Sequence, residues 1–162
     1  MGKRWWSGKV VPVNRDLAGL APAMRRAVKG VVSDLTSAGF DPWVFECNRT
    51  AERQAWIYAG GRTRPGKIVT NASSHLRSWH GHGLAVDIID RTKHWNASPA
   101  FWTALGDACR RNGLSWGGDW ERFPDRPHCQ WGDCPDGPTV ADRERTQRHG
   151  MAMTWGLYGA SV

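Results

Sequence analysis

Ser78-Trp79-His80-Gly81-His82-Gly83-Leu84-Ala85-Val86-Asp87, followed downstream by Asp125-Arg126-Pro127-His128, is the part of this chain whose reading decides the rest. Together the two segments supply two imidazoles, a carboxylate ligand and a second, spare carboxylate. Zinc binds imidazole nitrogen and carboxylate oxygen in tetrahedral geometry. A catalytic site takes three protein ligands, so that the fourth position stays open to a water whose pKa falls toward neutrality. His80, Asp87 and His128 fill three such places. Asp125 precedes His128 by three residues in a stretch broken by Pro124 and Pro127, so a turn would carry it beside the metal without forcing it to ligate. There it would take a proton from the water and later pass it to a leaving amine.

The surrounding backbone suits this demand. Gly81 and Gly83 permit a sharp turn, after which Leu84 to Ile89 reads as a strand with Ala85, Asp87 and Ile89 on one face and Leu84, Val86 and Ile88 on the other. The strands bearing Asp87 and His128 are expected side by side in an antiparallel sheet. His82 is read as a loop histidine facing substrate or solvent rather than a fourth ligand, because a catalytic zinc needs a vacancy. His75, His94 and His149 fit no ligand pattern. The bland alternative, histidines and aspartates scattered through polar loops, holds for any one of these residues better than for the ordered set.

Elsewhere the pattern is helical and strand-like in turn. Leu17, Leu20, Met24, Val28, Val31 and Leu35 recur at helical spacing, with Pro22 early and Gly39 at the end, which predicts a helix from about Ala21 to Ala38. Trp43 to Cys47 reads as a strand. Thr50 would cap a helix running to about Ala59, stopped by Gly60-Gly61. Ser98-Pro99 opens another that carries Phe101, Trp102, Leu105 and Cys109 and closes at Gly113. The fold class is therefore α+β, a small antiparallel sheet flanked by helices, in a single domain over residues 1–162. Residues 136–162 contain a charged, helical-looking stretch and are too short for a separate domain.

The motif Ser-x-His-x-x-Gly-x-Ala-x-Asp with the later Asp-x-x-His resembles the signature of the zinc D-alanyl-D-alanine carboxypeptidases and L-alanyl-D-glutamate endopeptidases, VanY-like enzymes whose fold is related to the zinc-containing domain of hedgehog proteins. Asn48-Arg49-Thr50-Ala51-Glu52-Arg53-Gln54 is similar to the family's Arg-Thr-x-x-x-Gln element. The loop Gly61 to Ala72 resembles the phage endolysin version of the substrate-side loop, and the run Gly113 to Trp120 resembles the family's segment before the last zinc ligand. The resemblance spans roughly residues 17–132 and departs from the family at Asn48 and Cys129, where aromatic or aliphatic residues are usual. It implies one catalytic zinc ion on His80, Asp87 and His128, and Asp125 as general acid and base. It also implies Arg49 as a cationic donor at the scissile carbonyl or substrate carboxylate, with Gln54 and Ser78 as substrate contacts. An ion pair for Arg49, a solvated helix face for Gln54 and a turn cap for Ser78 are the plain structural readings.

The 162 residues include eleven tryptophans and carry a formal charge of +7. Trp43, Trp56, Trp102 and Trp116 fall at core positions, whereas Trp79, Trp120 and Trp131 stand near the proposed site, where they would wall a cleft. The charge favours polyanions such as acidic cell-wall polymers. Basic residues are not interleaved with aromatics as a nucleic-acid surface would require. Cys47, Cys109, Cys129 and Cys134 show no Cys-x-x-Cys pair, which excludes a zinc finger. Cys129 and Cys134 would bridge only in an oxidising compartment. Lys3 and Arg4 lead into Trp5-Trp6 rather than an apolar export core, and no membrane-length apolar run follows. The expectation is a monomer made in the host cytoplasm and released onto the wall by another factor.

The functional expectation is a zinc-dependent phage endolysin that cuts the L-alanyl-D-glutamate bond of the peptidoglycan stem peptide. A D-alanyl-D-alanine carboxypeptidase uses the same machinery and is the nearest alternative. A non-catalytic, zinc-stabilised wall-binding module is an alternative of another class, but a purely structural zinc has no use for Asp125. A basic zinc nuclease is the third.

Overall fold

The computed structural model describes residues 10–162; the segment with Lys3, Arg4, Trp5 and Trp6 lies outside the described residues. The chain runs α1 (Pro22–Ser37), β1 (Pro42–Glu46), α2 (Ala51–Ala59), β2 (Ala85–Asp90), α3 (Pro99–Arg111), β3 (Leu114–Trp116), β4 (His128–Trp131), α4 (Val140–His149) and α5 (Met151–Leu157). The expected helices form within a residue or two of their predicted ends. Thr50 and Ser98 accept the backbone N–H of Arg53 and Phe101 as caps, and Pro22 and Pro99 sit in first turns where no N–H is needed.

The four strands form one antiparallel sheet in the order β1-β2-β4-β3. The central strand β2 begins one residue later than its apolar pattern suggested and buries Ala85, Val86, Ile88 and Ile89. The apolar stripe of α1, with Met24, Val28, Val31 and Leu35, packs into the same core as Phe101, Trp102 and Leu105 of α3. Truncating one of these fully buried side chains to alanine removes about 2–5 kcal/mol.

Strand register sets out the candidate site residues. Asp87 on β2 pairs with His128 on β4 and with Glu46 on β1. The pairing of β1 with β2 slips between Val44 and Glu46, a bulge at Phe45 that lets Glu46 stand opposite Asp87. Facing residues project from the same side of a sheet, so Glu46, Asp87 and His128 form a row across three strands.

The tail folds onto the core as the helix pair α4 and α5. Thr139 and Asp142 form a reciprocal capping box. The carboxylate of Asp142 also accepts from Tyr158 Oη at 3.0 Å and from Arg145 at 3.0 Å. Burial works to raise its pKa, but the Thr139, Tyr158 and Arg145 donors outweigh that and hold it below the ordinary carboxylate value.

His82 corrects the sequence expectation. It faces neither substrate nor solvent; it is fully buried, with Nε2 donating to the Leu76 carbonyl at 2.9 Å and Nδ1 bonded to Thr146 Oγ1 at 2.8 Å. A carbonyl can only accept, so Nε2 carries the hydrogen and Nδ1 accepts from the hydroxyl. Thr146 in turn bonds Thr154 Oγ1 at 2.6 Å, and Trp155 donates to the His82 carbonyl at 2.6 Å. The histidine thus ties the turn after Ser78 to both C-terminal helices. Gly81 also has a different purpose from the one expected: any Cβ there would run into the His75 carbonyl, whereas Gly83 adopts φ 69°. Cys129 lies against Cys109 rather than Cys134, sulfur to sulfur 3.0 Å, and all four cysteines are buried free thiols. Burial, then nearby acidic charge, pushes the Cys47 and Cys134 thiols up to about 12.

Replacing Asp142 with asparagine is expected to cost about 1–3 kcal/mol of unfolding free energy at neutral pH. Because the folded carboxyl titrates below its unfolded value of about 3.9, its contribution is present above that pH and is lost as pH falls further. Denaturant titrations of wild type and Asp142→Asn should therefore converge below about pH 4; a constant difference across pH would contradict this account.

Candidate functional site

Three side chains from distant parts of the sequence meet on one face of the sheet. His80 Nε2 lies 3.3 Å from Asp87 Oδ1, His128 Nδ1 lies 3.7 Å from the same oxygen, and the three ligand atoms all fall within 4.8 Å of one another. Tetrahedral zinc with bonds near 2.0–2.1 Å needs ligand atoms roughly 3.4 Å apart. Two of the three edges are already close to that length.

The hydrogen bonds behind these groups fix which nitrogen faces the centre. His80 Nδ1 donates to the Cys47 carbonyl at 3.0 Å, which leaves the Nε2 lone pair free. Its own carbonyl receives the Arg49 N–H at 3.0 Å and Asn48 Nδ2 at 3.1 Å, so the departure at Asn48 anchors the ligand's backbone. Gln130 Nε2 donates to the Pro135 carbonyl at 3.0 Å, which turns Gln130 Oε1 toward His128 Nε2, also at 3.0 Å. His128 Nε2 must then carry the hydrogen, and Nδ1 presents its lone pair. The donor set, its tautomers and its spacing all fit a tetrahedral cation.

Asp125 lines the same cavity, about 450 Å³ in volume, as His80, Asp87 and His128. It sits at the turn before β4, pinned by its N–H to the Gly117 carbonyl at 2.9 Å and by its carbonyl to the His128 N–H at 3.1 Å. Gly117 is required here: a Cβ would run into the Asp125 carbonyl and crowd His128. Burial, reinforced by the negative charge of Asp87, raises the Asp125 pKa; His128, His80 and Arg49 oppose the shift. Asp87 behaves oppositely, since His80, His128 and Arg49 overcome its burial and hold it well below the ordinary range. Two carboxylates in one cavity are thereby driven apart, one kept ionised and the other able to carry a proton.

Arg49 is buried behind Asp87. Its Nε and Nη2 grip Glu46 Oε2 at 3.0 and 2.7 Å, Nη2 approaches Asp87 Oδ2 at 3.4 Å, and Nη1 donates to Gln54 Oε1 at 3.0 Å. Arg53 occupies the other oxygen of Glu46 at 3.1 Å. Gln54 is not on a solvated helix face: it is fully buried, lies outside the cavity lining, and its Nε2 donates to the Ala72 carbonyl at 2.6 Å. Its position suits a strut between Arg49 and the loop over residues 61–72 rather than a substrate contact. Ser78 both lines the cavity and accepts the His80 N–H at 3.3 Å.

Of the tryptophans expected at the cleft, Trp120 lies against His128 with ring centroids 4.9 Å apart, and both it and the buried Trp79 line the cavity. Trp131 does not; its Nε1 donates to the Tyr158 carbonyl at 2.7 Å. Trp56, expected in the core, lines the cavity, with the guanidinium groups of Arg53 and Arg64 at 5.0 and 3.7 Å from its ring. Glu46, Gln130 and the cavity residues Trp95 and Phe123 escaped the sequence reading. For Gln130 a signal existed, since alternation places it two residues from His128 on the same strand face.

A family model for D-alanyl-D-alanine carboxypeptidases matches residues 71–131, a span that contains His80, Asp87, Asp125 and His128. The chain is 30% identical over 131 residues to the peptidoglycan L-alanyl-D-glutamate endopeptidase CwlK of Bacillus subtilis, covering 74% of this chain and 76% of that protein. It is 28% identical over 135 residues to the L-alanyl-D-glutamate peptidase of Listeria phage A118, covering 81% of this chain and 43% of the relative. The crystal structure of the Serratia marcescens L-Ala D-Glu endopeptidase ChiX shares the fold, with a TM-score of 0.54 at 24% identity over 71% of this chain and 82% of that one.

Removing the carboxamide that orients His128 should weaken metal binding without touching a ligand. Gln130→Ala is expected to lower zinc affinity about 10–100-fold, read by competition with a chromophoric chelator. Wild-type affinity in the variant would contradict the orienting role.

Proposed function

The chain belongs to the M15 peptidases, the D-alanyl-D-alanine carboxypeptidase family, and from that membership we propose that it is a zinc-dependent peptidoglycan peptidase cutting the L-alanyl-D-glutamate bond of the stem peptide. The observation that carries this reading is the three-donor cluster opening onto a cavity that also holds a carboxyl with a raised pKa. A purely structural zinc site is closed by four protein ligands, and among the described residues the cluster has three.

His80, Asp87 and His128 would hold the ion. When bound, zinc supplies a Lewis acid that polarises the scissile carbonyl and acidifies water. Asp125 takes the proton of the attacking water and delivers it to the leaving amino nitrogen, and its raised pKa suits a group that must both accept and donate. Arg49 adds to the action of His80 and His128 in keeping Asp87 ionised, and its Nη2 stands 3.4 Å from Asp87 Oδ2. It also retains a hydrogen on Nη1 beyond the one given to Gln54, and this donor stabilises negative charge on the substrate. Ser78 fixes the turn that presents His80 and contacts the peptide at the cavity wall.

The endopeptidase is favoured over a carboxypeptidase because the Bacillus subtilis and Listeria phage relatives are each named for the L-alanyl-D-glutamate bond. The likeness to a Listeria phage enzyme supports a lytic role in phage release, with the protein passing from the host cytoplasm to the wall.

Mass analysis of fragments released from purified peptidoglycan should show new glutamate amino termini, abolished by a chelator and restored by zinc. Free D-alanine as the sole product would instead mark a carboxypeptidase, and cleavage of plasmid DNA with intact wall would mark a nuclease. Asp125→Ala should keep zinc and fold while losing about 10²–10⁴-fold in kcat; undiminished wall hydrolysis would remove the proton-carrying role.

A further inference from the structure

Trp95 and Phe123 are 53% and 52% exposed, yet both line the catalytic cavity. Large aromatic faces left in water at the mouth of a site mark surfaces kept for a ligand. Trp95 is also held there. Asp90 Oδ1 accepts the N–H groups of Thr92 and Lys93 at 2.8 and 2.7 Å, and the His94 N–H closes onto the Asp90 carbonyl at 2.8 Å. His94 itself adopts φ 51°, the only positive φ outside glycine among the described residues. A side chain in that region is uncommon and persists where the surroundings enforce it. Below the indole, the Phe45 ring meets it edge to face, centroids 4.8 Å apart at 74°.

The indole N–H adds a second mark. Trp79, Trp116, Trp131 and Trp155 each donate Nε1–H to a backbone carbonyl. Trp95, like Trp43, Trp102 and Trp120, makes no such bond within the described residues, but it alone of these four is more than half exposed, so this braced ring offers both an apolar face and an open donor.

The chemistry of the substrate says what would lie on it. In the wall, the amino group of the stem L-alanine is joined to the lactyl carboxyl of N-acetylmuramic acid. A saccharide ring therefore stands one residue from the L-alanyl-D-glutamate bond and must be accommodated beside any site that cuts this bond in the polymer. A pyranose presents an apolar face of C–H groups rimmed by hydroxyls and an acetamido group, the complement of an exposed indole with its N–H at the edge. Trp95 lines the same cavity as His80, Asp87 and His128, so the platform is continuous with the site that cuts the bond next to that ring.

We propose that Trp95 stacks against the N-acetylmuramyl ring carrying the stem peptide, so that the enzyme selects stem peptides still attached to glycan over released ones. This rests on the assignment of the cleaved bond made above. In a carboxypeptidase the scissile bond is several residues removed from the sugar, and Trp95 would have no such occupant.

Two soluble substrates test it: a stem tetrapeptide with a free L-alanine amino group, and the same peptide bearing N-acetylmuramic acid. The wild-type protein with zinc should show kcat/KM about tenfold or more higher for the muramyl peptide. Trp95→Ala should collapse that ratio toward one, chiefly through KM, whereas Trp95→Phe should keep most of it. Thermal melting of each variant confirms the fold. Equal wild-type kcat/KM for the two substrates overturns the proposal, as does a Trp95→Ala loss of the same factor on both, which would place Trp95 against the peptide or give it a structural role. An unaltered ratio in Trp95→Ala also overturns it. Failure of the wild type to cut either peptide, while it still releases D-alanine from wall, rejects the bond assignment itself.

Discussion

The pairing of Asp87 with His128 across β2 and β4 is the constraint on which the rest of the site depends. Side chains alternate across a strand, so a shift of one residue in that register would carry His128 to the opposite face of the sheet and dissolve the cluster. Register is held from both sides. Ala85 opposite Gln130 continues the β2–β4 ladder, while the bulge at Phe45 brings Glu46 into line with Asp87 from β1. His80 alone comes from outside the sheet, and its backbone carbonyl is tied to Arg49 and Asn48 at the end of the neighbouring segment.

Behind that row lies a buried charge network. Glu46, only 2% exposed, is shared by Arg49 and Arg53, and Arg49 also reaches Asp87 and Gln54. Buried charges are costly unless paired and hydrogen-bonded, and removing one partner leaves the others stranded, at about 3–5 kcal/mol. The network is therefore weak as a source of stability but strong as a device for position. Through Gln54 and the Ala72 carbonyl it joins the Asp87 side of the cavity to the loop that forms its wall. Opposite pKa shifts of Asp87 and Asp125 follow from the same arrangement, since the cations face Asp87 while Asp125 mainly meets burial and a neighbouring carboxylate.

The C-terminal helices do for the His80 turn what the sheet does for Asp87 and His128. His82, buried and neutral in its hydrogen-bond pattern, links that turn to Thr146 and through it to Thr154, while Trp155 holds the His82 carbonyl. A tail outside the candidate site thus braces the segment that carries His80. The same logic explains Cys129, which departs from the family's aromatic: it faces Cys109 of α3 on the core side of β4, away from the cavity that its neighbour His128 lines.

The sequence by itself determined what depends on local pattern and on ligand chemistry. The helix caps at Thr50 and Ser98, the α1 stripe from Met24 to Leu35, the β2 strand and the set His80, Asp87, Asp125 and His128 were all legible. Periodicity, caps and donor types are properties of neighbouring residues. Tertiary structure alone decided the functions of side chains whose partners are remote in sequence. His82 became a strut because Thr146 stands 64 positions away, Gln54 because Ala72 accepts from it, and Cys129 turned to Cys109 because α3 lies beneath β4. Trp95 reached the cavity rim because Asp90 and His94 fold the chain back beside Phe45. A hydrogen-bond donor or an aromatic face in a sequence carries no record of what it will meet; only the packed chain supplies the partner.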